Sequence, residues 1–314
     1  MPSKKQNPFL VVLDVGHGSA AVLHDDGGTV VFDTGSKGAH IERYLRRTSF
    51  HKIQALLLSH ADEDHIGGAV TLLLDAHFHI EEVLLNTDAS KDSSVFEQLR
   101  YALAEANQRS GTKIDRRLAT STKLPRKGIS IEVLHPPDFL ALSGAGSKPK
   151  SGKNHTSNSV SAAVRISDGS KCSILLGGDI EYDCLDGWKA HKVQPTAAAL
   201  IFPHHGGLPG TDDESEVKLF AYELAKIVSP EFVVFSIHRT KHENPRDEVL
   251  SAILKATPRI RFACTQLPER LHKQVGKSPA WSLHISPDGN GIIEGSICLV
   301  FAPSGLQFSF GEKP

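Results

Sequence analysis

No run of apolar residues here approaches the roughly 20 that a helix needs to cross a bilayer; runs such as 55–58 are far shorter. The N-terminal stretch Met1-Pro2-Ser3-Lys4-Lys5-Gln6-Asn7-Pro8 has no apolar signal core and no small-residue cleavage site, so the chain reads as cytoplasmic, with no membrane among its expected partners. Cysteine is scarce. The four residues Cys172, Cys184, Cys264 and Cys298 form no Cys-x-x-Cys pair, which argues against a disulfide framework or zinc knuckle and for reduced, mostly buried thiols. An excess of either charge is missing too: 35 Lys and Arg against 36 Asp and Glu leave −1, so no global basic field announces a nucleic-acid partner, although a local one stays open. Aromatic residues, at 6%, offer few platforms for base stacking. What the chain does have is 17 histidines in 314 residues, and their placement carries the argument.

A length of 314 residues suffices for one large α/β domain with a sizeable core. Short β-rich runs alternate with amphipathic helical segments, the pattern of a layered α/β domain. Strands are predicted over 9–13, 20–23 and 30–32 with Asp25-Asp26-Gly27-Gly28 as a hairpin turn, then a helix over 38–47, a buried strand over 53–58, a helix over 68–76, a strand over 82–85 and a helix over 95–108. The second half repeats the style. Strands are predicted over 130–134, 160–166, 172–176, 198–202 and 232–235, with helices near 181–190 and over 214–227 and 246–256. Two such halves predict two sheets packed face to face with helices outside. Residues 142–159, rich in Gly, Ser, Asn and Lys, are expected to form a mobile loop. Beyond 262, short β runs at 291–301 and 306–310 predict a small β extension, giving one domain over 8–260 and an extension over 261–314 packed on it.

The sharpest signal is His60-Ala61-Asp62-Glu63-Asp64-His65, behind an apolar strand and ahead of Gly67-Gly68. Two carboxylates buried together without a metal would repel and raise each other's pKa, whereas divalent cations neutralise them and keep the imidazoles neutral. A solvated polar turn or an acidic helix N-cap is the bland alternative. A second element, Leu175-Leu176-Gly177-Gly178-Asp179, puts a carboxylate at a strand end behind two glycines, which suits an aspartate bridging two metals or one capping a helix. A third, Ile201-Phe202-Pro203-His204-His205-Gly206-Gly207, again sets imidazoles beyond an apolar strand and favours at least one ligand. In a fourth, Phe235-Ser236-Ile237-His238-Arg239-Thr240-Lys241-His242, the residues His238, Arg239, Lys241 and His242 could bind an anion or give a proton to a leaving oxygen. A plain surface loop competes with that reading, and only His242 stands above it.

In this order the elements resemble the metallo-β-lactamase superfamily, and more narrowly its ComEC-like branch, named for the hydrolase domain of the competence DNA-uptake protein. The resemblance also takes in Leu13-Asp14-Val15-Gly16-His17-Gly18-Ser19-Ala20, Phe32-Asp33-Thr34-Gly35 and Asn158-Ser159-Val160-Ser161, and so spans about 8–257. It implies a four-layer αββα sandwich, the hydrolase domain being 8–260, and two divalent metal ions, Zn or Mn. It makes His60 and Asp62 ligands of one metal, Asp64, His65 and His205 ligands of the other, and Asp179 the bridge. Asp33 becomes a buried support for the His/Asp loop, His204 a substrate contact, and Asp64, His204 and His242 the catalytic set. Members of the fold often carry a further histidine between the first motif and the bridging aspartate. Here Asn158 and Ser161 stand in that stretch with His155 just upstream, and all three are candidates for metal or substrate contact. The branch commonly has Gly-Gln-Gly-Asp where this chain has Gly16-His17-Gly18-Ser19, and Gly-His-Pro where it has Lys241-His242-Glu243-Asn244-Pro245.

Paired cations would present hydroxide at neutral pH between them and stabilise both the incoming and leaving oxygens of in-line attack on phosphorus. The expected activity is therefore that of a metal-dependent phosphodiesterase or nuclease acting on DNA or RNA. An aspartate at position 62 makes the centre more oxygen-rich and moves its preference from Zn toward Mn. Positive charge at Lys148, Lys150 and Lys153, and from Arg116 and Arg117 to Lys127, could follow a phosphate backbone, against the commoner reading of solvated surface. Two rivals stand beside it: a hydrolase of a small substrate (cyclic nucleotide, phosphocholine-type ester, lactone or thioester) and a catalytically silent metal-binding sensing module. A protein partner on the C-terminal extension is a further expectation.

Overall fold

The computed structural model describes residues 7–48, 50–148, 152, 154–169, 172–272 and 295–310. Its first half runs β1 (Phe9–Val12), β2 (Ala21–Asp25), β3 (Gly28–Phe32), α1 (Gly38–Arg47), β4 (Lys52–Leu57), α2 (Glu63–Leu74), β5 (His79–Ile80), β6 (Glu82–Leu84), α3 (Ser94–Ser110) and β7 (Lys113–Asp115). The second half continues with β8 (Ser130–His135), α4 (Asp138–Ser143), β9 (Ala163–Ser167), β10 (Ser173–Leu176), α5 (Tyr182–Ala190), β11 (Ala199–Ile201), α6 (Glu214–Val228), β12 (Phe232–Phe235), α7 (Asp247–Ala256), β13 (Arg261–Cys264) and α8 (Glu269–His272). The strands β14 (Ile297–Ala302) and β15 (Gly305–Phe310) close the described chain. One sheet has the order β15-β14-β1-β2-β3-β4-β6-β7 with β5 also on β4, and the other β13-β12-β11-β10-β9-β8.

Strand periodicity explains why the two sheets stack. In β1, Phe9 and Val11 join a core shared with α1, α2 and α3, while Leu10 and Val12 join Leu23, Val30, Val164, Ile174 and Val234 in a core between the sheets. A third core lies under α5, α6 and α7, where Leu185, Phe220, Leu224 and Ile253 cover Leu200, Val233 and Phe262. Three apolar cores between successive layers make the αββα sandwich that the two halves predicted. Helix ends follow local chemistry. Ser93 Oγ accepts the Phe96 amide 3.2 Å away at the start of α3, Gly111 ends it in the left-handed region, and Asp213 accepts the amides of Ser215 and Glu216 at the start of α6.

Three boundaries differ from the sequence expectation. The helix predicted from 68 begins at Glu63, so Asp64 and His65 sit in its first turn. Gly68 looks like a helix start, yet it serves a crossing inside one: a Cβ there would lie 2.4 Å from the Thr34 carbonyl oxygen. The strand predicted over 160–166 starts at Ala163, because Asn158–Val160 is a tight 3-10 turn. The chain beyond 260 supplies edge strands to both sheets, β13 alongside β12 and β14 alongside β1. Of the predicted run 291–301, residues 291–294 lie outside the described residues, as do Pro149, Lys150, Ser151 and Lys153 of the basic loop and residues 1–6. The described part of 142–159 is tied down: the Gly146 amide donates to the His155 carbonyl, the His155 amide to the Ser147 carbonyl, and the Ala145 carbonyl accepts from the Ala89 amide. All four cysteines are buried and none is in a disulfide. Among the described residues no helix is long and apolar enough to cross a membrane.

Candidate metal centre

The strands β1, β4, β10, β11 and β12 all end at the same edge of the sandwich, and each releases a histidine or aspartate there. The loop after β4 carries His60 to His65, the turn after β10 carries Asp179, the turn after β11 carries His204 and His205, and the segments after β1 and β12 bring His17 and His242. Backbone in the left-handed region is concentrated here. Asp33 (φ 52°), His204 (φ 50°), His205 (φ 55°) and His242 (φ 57°) all occupy it without being glycine, a cost of the order of 1 kcal/mol each that the surrounding contacts must offset.

Deepest lie His60, His65 and Asp179, whose ligand atoms are all within 4.8 Å of one another. One Asp179 oxygen is 3.7 Å from His60 Nε2 and the other 3.5 Å from His65 Nε2. Both imidazoles are aimed from behind. Asp33 accepts from His65 Nδ1 at 2.8 Å, from the Ser59 amide at 2.7 Å and from Ser59 Oγ at 2.8 Å. Thr34 locks the other side of His65, its amide and hydroxyl both donating to the His65 carbonyl. Ser161 Oγ stands 3.2 Å from His60 Nδ1 and accepts the Asp179 amide at 2.8 Å. His60 Nε2 and His65 Nε2 are left buried with no hydrogen-bond partner.

Nearer the surface, His17, Asp64 and His205 also hold their ligand atoms within 4.8 Å of one another. The His205 Nδ1–H donates to the Ser236 carbonyl at 2.9 Å, which fixes the tautomer and turns the Nε2 lone pair toward Asp64 Oδ2, 3.2 Å away. Two acceptors facing each other at that distance need a proton or a cation between them. Gly18 makes room for this loop: its φ is +134°, and a Cβ there would lie 2.4 Å from the Asp64 carbonyl oxygen.

Electrostatics in the metal-free state tell the same story. Burial opposes charge on His65, but Asp179, Asp33 and Asp64 outweigh it and push its pKa up to about 10, while burial and the charge of His65 push His60 down to about 4. Burial raises and the histidines lower the carboxyl pKa of Asp64 and Asp179, and the histidines prevail, holding both below the usual carboxylate range. Burial and His205 bring His17 down to about 4. Buried anions, orphaned Nε2 atoms and carbonyl- or carboxylate-fixed tautomers together fit the two divalent cations that the resemblance implies. His60, His65 and Asp179 would hold one, and Asp64 and His205 another.

This grouping differs from the one carried over by resemblance, in which His65 goes with Asp64 and His205. In the structure His65 Nε2 is closer to Asp179 (3.5 Å) than to Asp64 (4.0 Å). Asp62 stands 3.9 Å from His60 Nε2, with one oxygen taken by Lys91 Nζ at 2.5 Å. His204 donates its amide to Asp179 Oδ1 at 3.0 Å and keeps Nδ1 3.5 Å from Oδ2. Asn158 donates to Glu181 at 3.2 Å from the rim, and Ser161 lies fully behind the ligands. His155 belongs to neither cluster. His242 is exposed at the mouth, its ring tilted against that of His17 with centroids 4.2 Å apart, whereas Nδ1 of His238 is spent on the amides of Thr240 and Lys241. Two neighbours escaped sequence reasoning. Lys91 lies in a loop with no motif around it. His17 stood in a stretch already noticed for its departure from Gly-Gln-Gly-Asp, and that departure was the available signal.

These donors open into a cleft of about 570 Å³ lined by His17, Asp62, Asp64, Asp179, His204 and His242, with Arg246 at its edge. Residues 13–250, well over half of the chain, match the family model of the metallo-beta-lactamase superfamily, and the chain belongs to that superfamily of metal-dependent hydrolases. Over 68 residues, 19% of this chain, it is 41% identical to Recombination protein 2 of Haemophilus influenzae, but the match spans only 8% of that relative's length. Among solved structures, the metallo-beta-lactamase fold protein YhfI of Bacillus subtilis superposes with a TM-score of 0.49 at 18% identity, covering 82% of this chain and 97% of that one. The metallo hydrolase Igni18 of Ignicoccus hospitalis does so with a TM-score of 0.47 at 17% identity, covering 82% and 94%.

Proposed function

We propose that the chain is a phosphodiesterase whose substrate is a nucleic acid. One observation carries the phosphoester reading: Asp179 turns one carboxylate oxygen toward His60 and the other toward His65, beside Asp64 and His205, so two cation positions adjoin at the floor of one cleft. Divalent cations bound as such a pair activate water and stabilise the incoming and departing oxygens of an in-line displacement at phosphorus. The chain's own residues do the rest. Asp33, Ser59 and Ser161 hold the imidazoles and Asp179 in register, Arg246 offers a fixed positive charge at the cleft edge, and His204 and His242 face the space where a leaving oxygen would take a proton.

The polymer reading draws on the segment shared with Recombination protein 2 and on the ComEC-like motif order. The basic stretch 116–127 supports it only in part. Arg116 and Arg117 follow β7 at the site end of the sheet, but Arg126 is committed to Asp25 and the Gly28 carbonyl at the opposite end. A small substrate is the second reading, favoured by a cleft volume within the range of small-ligand sites. Incubating Zn- or Mn-loaded protein with single- and double-stranded DNA, RNA and bis(p-nitrophenyl) phosphate decides the matter. Cleavage of a polymer that disappears in Asp64→Ala is the expected result. Turnover of the small diester with every polymer intact would replace the nuclease reading with the second one.

A further inference from the structure

We infer that His17 is a metal ligand, completing with Asp64 and His205 the cation position nearer the surface. His17 Nε2 stands 3.5 Å from Asp64 Oδ2, and His205 Nε2 stands 3.2 Å from the same oxygen. Ligands held at about 2.0–2.1 Å around one ion at tetrahedral angles are separated by about 3.3–3.4 Å, so both spacings match edges of one tetrahedron. The rings of His17 and His205 are 4.6 Å apart and tilted by 57°, an arrangement in which both can turn a nitrogen toward a common point.

Among the described residues nothing else uses the ring nitrogens of His17. His17 Nδ1 is buried without a hydrogen-bond partner, and Nε2 faces only the Asp64 carboxylate. The backbone holds the residue in place from both sides: Gly16 has φ +77° against the His238 ring, and the Ser19 amide donates to the Asp64 carbonyl at 3.1 Å, tying the His17 loop to the first turn of α2. The histidine thus arrives on the segment that follows β1.

The assignment also evens the two positions. On the Asp62 side, Lys91 neutralises a carboxylate that could otherwise serve a cation, Asn158 is turned to Glu181, and Ser161 supports rather than faces the centre. With His17, the surface-side position has two imidazoles and one carboxylate, the same set that His60, His65 and Asp179 bring to the deep one.

The inference concerns cation binding alone and stands or falls independently of the phosphoester reading. Metal-free protein is titrated with Zn²⁺ against a competing chelator, and with Co²⁺ by visible absorption. His17→Gln is expected to weaken one of the two equivalents by at least about tenfold, the minimum for losing a ligand where outer-shell losses already cost 10–100-fold, and to alter the Co²⁺ spectrum of that equivalent. Unfolding of the metal-free variant, followed by circular dichroism, checks that it folds as the parent does. A second measurement needs no substitution: in long-range ¹H–¹⁵N spectra of the natural chain, a His17 ring nitrogen shifts as Zn²⁺ binds. Unchanged affinity and spectrum in His17→Gln, or a His17 ring whose nitrogens stay put while Zn²⁺ binds, would overturn the assignment.

Discussion

Two kinds of buried histidine coexist in this protein, one at the strand ends of the metal centre and one on the helix-facing side of β2. His24, on β2, has both ring nitrogens engaged: Nδ1 with Thr29 Oγ1 at 3.1 Å and Nε2 with Tyr44 Oη at 2.9 Å, under a stacked Phe50. His60 and His65 are as deeply buried but keep Nε2 without any partner, with carboxylates closing in. A buried polar atom costs about 1–3 kcal/mol when left unpaired. In the core that cost is removed by hydroxyls, and at the strand ends a bound cation would remove it. Burial therefore does not mark a ligand histidine; an unspent nitrogen facing a carboxylate does.

That contrast can be broken most severely at its hub. Asp179→Ala should reduce metal content from two equivalents to about one and lower hydrolysis on the order of 10³-fold, the scale at which losing one electrostatic element of a catalytic site is felt; elemental analysis and a steady-state assay measure both. Two retained equivalents would show that the deep position does not depend on Asp179. Next comes the support layer. Asp33→Ala leaves His65 Nδ1 and two Ser59 donors without their acceptor, so it should destabilise the metal-free protein by about 3 kcal/mol in denaturant unfolding and weaken metal binding about 10–100-fold.

The core histidine should respond to acid instead. Burial lowers the His24 pKa from 6.5 to about 3, so the folded state keeps it neutral while the unfolded chain takes up a proton. Its contribution is fully present above pH 6.5 and is lost as pH falls toward 3, reaching on the order of 3 kcal/mol by pH 4. Unfolding free energies of His24→Phe measured between pH 7 and 4 should therefore fall less steeply with acid than those of the parent; parallel slopes would show that His24 titrates normally in the folded protein. The smallest effect is expected at His155, which belongs to neither cluster: His155→Ala should leave metal content and affinity within about twofold of the parent in the same chelator titration.

How much of this was open to sequence reading depended on whether the signal was local. Alternating strands gave the two sheets, since both faces of strands such as β1 are apolar and each face needs a core. The motif from His60 to His65 and the strand-end Asp179 and His205 were legible because a strand followed by a tight turn puts short-range neighbours into one place. The start of α2 was misjudged because Gly68 is explained by Thr34 crossing beside it, a contact 34 residues away in sequence. Lys91 and the supporting role of Ser161 were invisible for the same reason. A lysine or serine alone has no spacing to betray it.

The sequence by itself determined the layered α/β plan, the strand-end motif and the abundance of histidine from which a centre could be built. Only the tertiary structure decided which imidazoles keep a nitrogen free, that Asp179 reaches both His60 and His65, and that His17 comes to Asp64 from a loop nearly fifty residues earlier. The physical reason is that coordination depends on distances of 3–4 Å between atoms on separate strands, and those distances follow from sheet order and core packing rather than from any local pattern of residues.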